Sequence, residues 1–339
     1  MKAYKPQPID IATALYNDGD RFISGKWFDS EQNEISNPRR RVLQTGLVTS
    51  STQAQNVVDV FIDMYGDPTG TWYPMPILVD AVSWAGRVYD DGHELPPLAY
   101  PLTEKQLLII NRLINHEDSV MFILTGVGGS GKSTFANIVC QIFCGDVGYA
   151  NLDELSNDFK LGQVINHRLI FSDELNKEEL KDSTIKRLIS NESITVNPKF
   201  GKTYQMRCQS VFMFNCNIAP RVNILDTGIL RRIIYYSMDT KIENPDPTLG
   251  HKTFEQWEIY NIIAHAIMVD TTNWQEKFKD DTIKYLFSRS SIYKYPVNNY
   301  AIYKANCELE GLKPYNKDNW EAARRIMQDY GVDLDALMM

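Results

Sequence analysis

The sequence predicts an α/β protein whose centre is a mainly parallel sheet covered by helices, and three observations carry that prediction. The apolar run Val120-Met121-Phe122-Ile123-Leu124 leads into Gly126-Val127-Gly128-Gly129-Ser130-Gly131-Lys132-Ser133, and residues 133–143 leave that loop with helical character. This is a strand, a glycine-rich turn and a helix in immediate succession. From Val120 to about Ser237, short apolar runs alternate with helical patterns, as expected when parallel strands are joined by crossover helices. The chain is also long enough: 339 residues, 43% of them hydrophobic, can bury a sizeable core in about two or three domains.

Taken in order, residues 1–100 hold the turn-rich stretches Gly66-Asp67-Pro68-Thr69-Gly70 and Tyr73-Pro74-Met75-Pro76, with helical periodicity around 57–64 and 77–89. No motif of known chemistry lies there. A helix then opens at Thr103, with Gln106 at capping-box spacing and Leu107, Ile110 and Ile114 on its apolar face. It leads into the strand before the glycine-rich loop. Arg168-Leu169-Ile170-Phe171-Ser172 reads as a second buried strand ending in Asp173-Glu174, and a helix over 176–191 follows, capped by Asn176 and Glu179. Its Leu180, Thr184, Ile185, Leu188 and Ile189 share one face, so this helix is scaffolding. The period then falls to two: Ile194-Thr195-Val196 and Thr203-Tyr204-Gln205-Met206-Arg207 flank Asn197-Pro198-Lys199-Phe200-Gly201-Lys202, a hairpin with a basic, aromatic tip. Val211-Phe212-Met213-Phe214 is a further strand ending in Asn215-Cys216-Asn217, and Gly228-Ile229-Leu230-Arg231-Arg232 precedes the strand Ile233-Ile234-Tyr235-Tyr236. Residues beyond about 250 read as mostly helical.

The loop carries the most specific chemistry. It fits G-x-x-x-x-G-K-[ST] at every fixed position, which predicts a nucleoside triphosphate site. Its glycines let backbone N–H groups close around phosphate oxygens, Lys132 reaches the terminal phosphates, Ser133 is placed to ligate Mg²⁺, and Thr134 belongs to the same helix start. Asp173 is the expected metal acid and Glu174 the expected base, on a strand expected to neighbour that of the loop. An amide at the end of strand 211–214 can orient a hydrolytic water; by alternation Asn215 and Asn217 share a face, so spacing alone leaves both open. Lys199 and Lys202 can pair with phosphates while Phe200 stacks on a base or sugar.

Composition narrows the classes. A formal net charge of −8 rules out a general positive field, so nucleic-acid contact must be local, at Arg39-Arg40-Arg41, at 199–207 or at Arg324-Arg325. No uninterrupted apolar run is long enough to span a membrane, and the first residues lack the apolar stretch of a secretion signal; a cytoplasmic protein is expected. Cys140, Cys144, Cys208, Cys216 and Cys307 form no Cys-x-x-Cys pair, so neither disulfides nor structural zinc are expected.

The order of parts between Gly126 and Arg232 resembles the superfamily 3 helicases. Lys199-Phe200, Asn217-Ile218-Ala219-Pro220 and Gly228 to Arg232 resemble, more narrowly, the helicase module of phage, plasmid and poxvirus primase-helicases. The resemblance implies an AAA+ ATPase core over 101–245, a mostly helical N-terminal region over 1–100 that could serve as an oligomerisation collar, and a small winged-helix-like domain over 246–339. That last match rests on Tyr300, Tyr303, Cys307, Leu309, Trp320, Ile326 and Met327. It implies a ring, usually a hexamer, with ATP and Mg²⁺ between subunits and the hairpin in a central channel gripping single-stranded DNA. It favours Asn217 as γ-phosphate sensor, and makes Arg231 or Arg232 the arginine acting on a neighbour's nucleotide. The expected function is ATP-driven unwinding of DNA in viral or mobile-element replication, alone or beside a primase or polymerase. The alternatives are a motor or loader that does not unwind, and a nucleotide-switched scaffold.

Overall fold

The computed structural model describes the chain except residues 1–7, 19, 24–25, 30–32, 46, 66–80, 83, 86–93, 117, 144–145, 152–153, 166, 176–181, 191, 197–203, 209, 247 and 339. Most of the helix expected over 77–89, the cap at Asn176 and Glu179, and the hairpin tip with Lys199, Phe200 and Lys202 lie outside the described residues. The chain divides into two compact units, Met1–Tyr73 with Asn191–Gln209, and Pro74–Ser190 with Ser210–Met339.

In the first unit, helix α1 (Pro8–Asn17) is followed by an antiparallel pair, β1 (Arg21–Ile23) and β2 (Lys26–Phe28), then by α2 (Pro38–Gln44) and α3 (Ser51–Tyr65). Ile11, Leu15, Trp27, Val42, Val57 and Phe61 form its core, and the rings of Trp27 and Phe61 stack with centroids 4.1 Å apart. Neither strand is legible in the sequence, because both are three residues long, too short to show a period.

The second unit begins with α4 (Glu104–Asn115), whose capping box is complete: Thr103 accepts from the Gln106 amide and the Gln106 side chain accepts from the Thr103 amide. Next come β3 (Met121–Thr125), α5 (Lys132–Ile142), β4 (Val147–Tyr149), α6 (Asp158–Val164), β5 (Leu169–Ser172) and α7 (Asp182–Ile189). On α7, Ile185, Leu188 and Ile189 are buried, as the apolar face requires. The first unit then receives the expected hairpin, β6 (Ser193–Val196) and β7 (Tyr204–Arg207), which pair antiparallel with Ile194 opposite Met206. Back in the second unit are β8 (Val211–Cys216), α8 (Thr227–Leu230) and β9 (Ile233–Ser237).

Five strands form one sheet, in the order β4-β5-β8-β3-β9, and every pairing is parallel. Buried on both faces, β3 and β8 open on the apolar runs Met121–Leu124 and Val211–Phe214 and carry the buried polar residues Thr125 and Asn215 near their C-terminal ends, before their turns. Strand order corrects one expectation: β8 lies between β3 and β5, so the acid-bearing strand is not the neighbour of the loop strand.

After Ser237 the described residues contain no strand. They form α9 (Gln256–Met268), α10 (Lys279–Phe287), α11 (Ser291–Lys294), α12 (Tyr300–Leu309) and α13 (Lys317–Asp329). Helix α9 packs beside α4, where Asn111 Nδ2 donates to the Ala266 carbonyl at 3.0 Å. Helix α10 covers the exposed edge of β9: the Tyr235 N–H donates to Thr282 Oγ1 (3.1 Å) and the Ser237 N–H to Asp281 Oδ2 (3.3 Å). An edge whose N–H groups are capped by side chains offers no template for another strand. Helices α12 and α13 close around Tyr303 and Trp320, whose rings stack at 6.0 Å, while Leu309 is exposed. Among the described residues, no helix is long and apolar enough to cross a membrane.

Candidate nucleotide site

Because all five strands run in parallel, their C-terminal ends share one edge of the sheet, where the turns after β3, β5 and β8 meet. The turn after β3 is the glycine-rich loop. Gly126 has φ +145, and a Cβ there would stand 2.2 Å from the Met238 carbonyl oxygen, so no larger residue fits. Gly131, at φ +90, caps α5 in the left-handed conformation without a side-chain hydrogen bond.

The segment after β9 closes the loop from outside. The Met238 N–H donates to the Thr125 carbonyl (2.7 Å) and the Ile242 N–H to the Gly129 carbonyl (3.1 Å), prolonging the β3–β9 pairing along the loop. Asp239 anchors this strap by accepting from Ser237 Oγ (2.5 Å), Lys284 Nζ (3.0 Å) and the Tyr285 hydroxyl (2.9 Å). Held in this way, the loop opens directly into α5, where the first intrahelical N–H partner is that of Phe135 on the Gly131 carbonyl (2.9 Å), so the N–H groups of the first turn, Lys132 to Thr134, have no carbonyl a turn before them in the helix. Ser130 Oγ is buried and unpaired among the described residues, whereas Val127 is half-exposed.

Lys132 is buried and folded onto its own loop, donating to the carbonyls of Gly126 (2.8 Å) and Val127 (2.9 Å). Burial lowers its pKa, an effect opposed by the nearby Cys216, Asp173 and Asp239. A buried ammonium held only by neutral carbonyls favours a stronger anionic acceptor over these two. Burial also pushes the Cys216 thiol up to about 11, so at neutral pH it is an uncharged neighbour and not a nucleophile.

Asp173 follows β5 and is exposed. Ser133 Oγ donates to its Oδ1 at 3.2 Å and its Oδ2 at 3.4 Å, and Asn215 Nδ2 donates to Oδ1 at 2.7 Å. The expected serine and acid therefore meet across the sheet, with Asn215 of the intervening β8 bridging the gap. Glu174 is exposed beside them. Asn215 and Asn217 do not share an environment: Asn215 is completely buried on β8, while Asn217 lies past the strand end and is exposed. Alternation fails because the strand stops at Cys216. The bridging role of Asn215 escaped the sequence reading, which saw two strand-end amides but not that β8 inserts between β3 and β5.

The paired arginines differ. Arg232 Nε donates to Ser190 Oγ (2.8 Å) and its Nη1 to the Gly228 carbonyl, whereas Arg231 is exposed. Asp226 caps α8 by accepting from the amides of Gly228 (3.0 Å) and Ile229 (3.3 Å), and pairs with Lys186.

Comparison with known proteins adds a partial family match and a likeness of fold. Residues 124–232, about a third of the chain, match a family of unknown function, DUF5906; the matched stretch runs from the end of β3 to the paired arginines. No curated protein matches. Among solved structures, the chain is similar to the A form apo structure of the NrS-1 C terminal region, with 15% identity and a TM-score of 0.51 over 99% of this chain and 90% of that one. Two further apo structures of that region are 16% and 15% identical, at TM-scores of 0.48, over 98% and 99% of this chain and 91% of each of those. At such identity the likeness is one of fold: an α/β chain built on a five-stranded parallel sheet, similar throughout its length to the C-terminal region of NrS-1.

Proposed function

We propose that this chain is the ATPase module of a ring-forming DNA helicase acting in phage or mobile-element replication, with an AAA+ core and a C-terminal helical region serving as its winged-helix-like part. The observation that carries this reading is the convergence of a glycine-rich loop ending in a helix start, a buried lysine and the Ser133–Asp173 pair on one edge of the sheet. The donor set fits its expected ligands. The N–H groups of a helix start suit a phosphate chain, and a hydroxyl beside a carboxylate suits a hard divalent cation such as Mg²⁺. The reading gives Gly126, Val127, Gly128, Gly129, Ser130, Gly131, Lys132, Ser133 and Thr134 to the phosphates of ATP, and Ser133 and Asp173 to the metal.

Mg²⁺ held by Ser133 and Asp173 would supply charge neutralisation to the phosphates, and the chain's own groups would do the rest. Lys132 leaves the carbonyls of Gly126 and Val127 for phosphate, Glu174 takes the proton of the attacking water, and Asn217 reads the terminal phosphate from its exposed position. Arg231 is the arginine offered to a neighbouring subunit, since Arg232 is tied to Ser190 and Gly228 of its own chain. Lys199, Phe200 and Lys202 would grip single-stranded DNA in the channel of a hexamer, alone or beside a primase or polymerase domain.

Lys132→Ala tests the core of this reading. Removing a charge-assisted contact of about 1.5–3 kcal/mol should weaken binding of a fluorescent ATP analogue about 10- to 100-fold and abolish DNA-stimulated hydrolysis. Unchanged binding would remove the nucleotide site. Hydrolysis without strand separation would move the wild type to the class of non-unwinding motors or loaders.

A further inference from the structure

Asn215 has no part in the scheme above, yet it holds the residue on which the scheme's metal site depends. We propose that Asn215 is a positioning residue that fixes the Asp173 carboxylate for a divalent cation. This rests on the nucleotide-site reading and deepens it.

Strand order sets the distance to be bridged. With β8 between β3 and β5, the Ser133 hydroxyl and the Asp173 carboxylate must meet across the width of one intervening strand. Asn215 is where β8 fills that width. Its Nδ2 donates to Asp173 Oδ1 at 2.7 Å, and its backbone carbonyl accepts from the Leu175 N–H at 2.9 Å. The same residue therefore fixes the Asp173 side chain and the backbone two residues further on. Asp173 is itself exposed, and among the described residues its other side-chain contacts are the longer ones from Ser133, at 3.2 and 3.4 Å. A short hydrogen bond from a buried, strand-borne amide is the firmer constraint.

The cost of keeping an amide here points the same way. Asn215 is 0% exposed, flanked on β8 by Met213, Phe214 and Cys216, all buried, and its Oδ1 makes no hydrogen bond within the chain. An amide satisfied on one side only destabilises a core relative to an apolar residue of the same shape. Packing alone would therefore favour leucine. Asparagine has a further property: being neutral, it orients the carboxylate without cancelling the charge that a cation would use. The groups that orient a ligating carboxylate commonly govern metal affinity nearly as strongly as the ligand itself.

The test uses the full chain and a fluorescent ATP analogue, with binding followed in EDTA and across a Mg²⁺ titration, so that no turnover is needed. Asn215→Ala and the volume-conserving Asn215→Leu should each raise the Mg²⁺ concentration for half-maximal effect about tenfold. Both should leave binding in EDTA unchanged. Asp173→Asn should move the same midpoint at least as far. If the wild type binds nucleotide and Asn215→Leu keeps the wild-type Mg²⁺ midpoint, or loses binding equally in EDTA, the role assigned to Asn215 is overturned while the site stands. A wild type that binds no nucleotide with or without Mg²⁺ overturns the parent reading, and this one with it.

Discussion

Asp20 in the first unit and Asp173 in the second are both carboxylates held by side chains from other parts of the sequence, and they are held in opposite ways. Asp20 is 0% exposed and is gripped by charge: Arg41 donates to both of its oxygens, at 2.9 and 3.1 Å, and Trp27 Nε1 adds a third bond at 2.9 Å. The hydrogen bond to Asp20 is the largest cause of the raised Arg41 pKa. Asp173 is exposed and is held by neutral donors, a hydroxyl and an amide. In the first cluster the negative charge is neutralised within the fold; in the second it is oriented and left available. On the proposed reading, the carboxylate that serves the fold is matched by a cation of its own chain, and the one kept for a ligand is oriented by neutral groups.

The sharpest way to break this contrast is to remove each acid. Asp20→Ala strands the Arg41 guanidinium and the Trp27 N–H in a small core. Loss of one partner from a buried pair costs about 3–5 kcal/mol, and the partial exposure of Arg41 places the expected value near about 3 kcal/mol in denaturant unfolding. Nucleotide affinity should not change. Asp173→Ala takes the acceptor from the buried Asn215 Nδ2 but strands no charge, so it should cost about 1 kcal/mol, clearly less than Asp20→Ala, while removing Mg²⁺-dependent tightening of nucleotide binding. Equal losses of stability at the two sites would refute the contrast.

The next effect in size concerns the loop itself. In Gly126→Ala the new Cβ would stand 2.2 Å from the Met238 carbonyl, so the strap or the loop must move. Backbone strain of this kind costs about 1–3 kcal/mol, and the displaced cradle should bind nucleotide more weakly. Gly128→Ala meets nothing within 4 Å and serves as the matched control, with stability expected near that of the wild type. Comparison of the two by thermal unfolding and nucleotide titration separates glycine needed for shape from glycine that is merely present.

These contrasts also mark how far the sequence could be read. The strand, loop and helix at 120–143, the capping box at Thr103 and the hairpin at 193–207 were legible because each is a local pattern of period, cap or turn. The strands β1, β2 and β4 were not, because three residues carry no measurable period. The meeting of Ser133 with Asp173 followed from the motif, but Asn215 as the bridge did not, since it depends on which strand lies between which. Strand order is a long-range property that no window of sequence contains. Likewise, the mostly helical character after residue 250 was visible in the pattern, but the capping of the β9 edge by Thr282 and Asp281 was not.

A third acid, Asp239, tests where between these extremes an exposed but paired carboxylate falls. It ties the strap to α10 through Lys284 and Tyr285 and to the end of β9 through Ser237, and the hydrogen bond from Ser237 is the largest of the effects that lower its pKa. The Lys284 pKa is raised, with Asp239 as the first cause. A lowered acid contributes stability above its unfolded pKa and loses it as pH falls through the folded value; a raised base contributes below its unfolded pKa and loses it as pH rises through the folded one. The pair is therefore in force across the wide range between the two shifted values, neutral pH included. Its side chains are 46% and 55% exposed, so solvent and salt screen it, and Lys284→Ala should cost under about 1 kcal/mol at pH 7. The difference from wild type should shrink as pH falls through the depressed Asp239 pKa, and should shrink again in high salt. A loss at pH 7 comparable to that of Asp20→Ala would show that exposure does not set the worth of these carboxylates, and would place the strap among the elements that hold the second unit together.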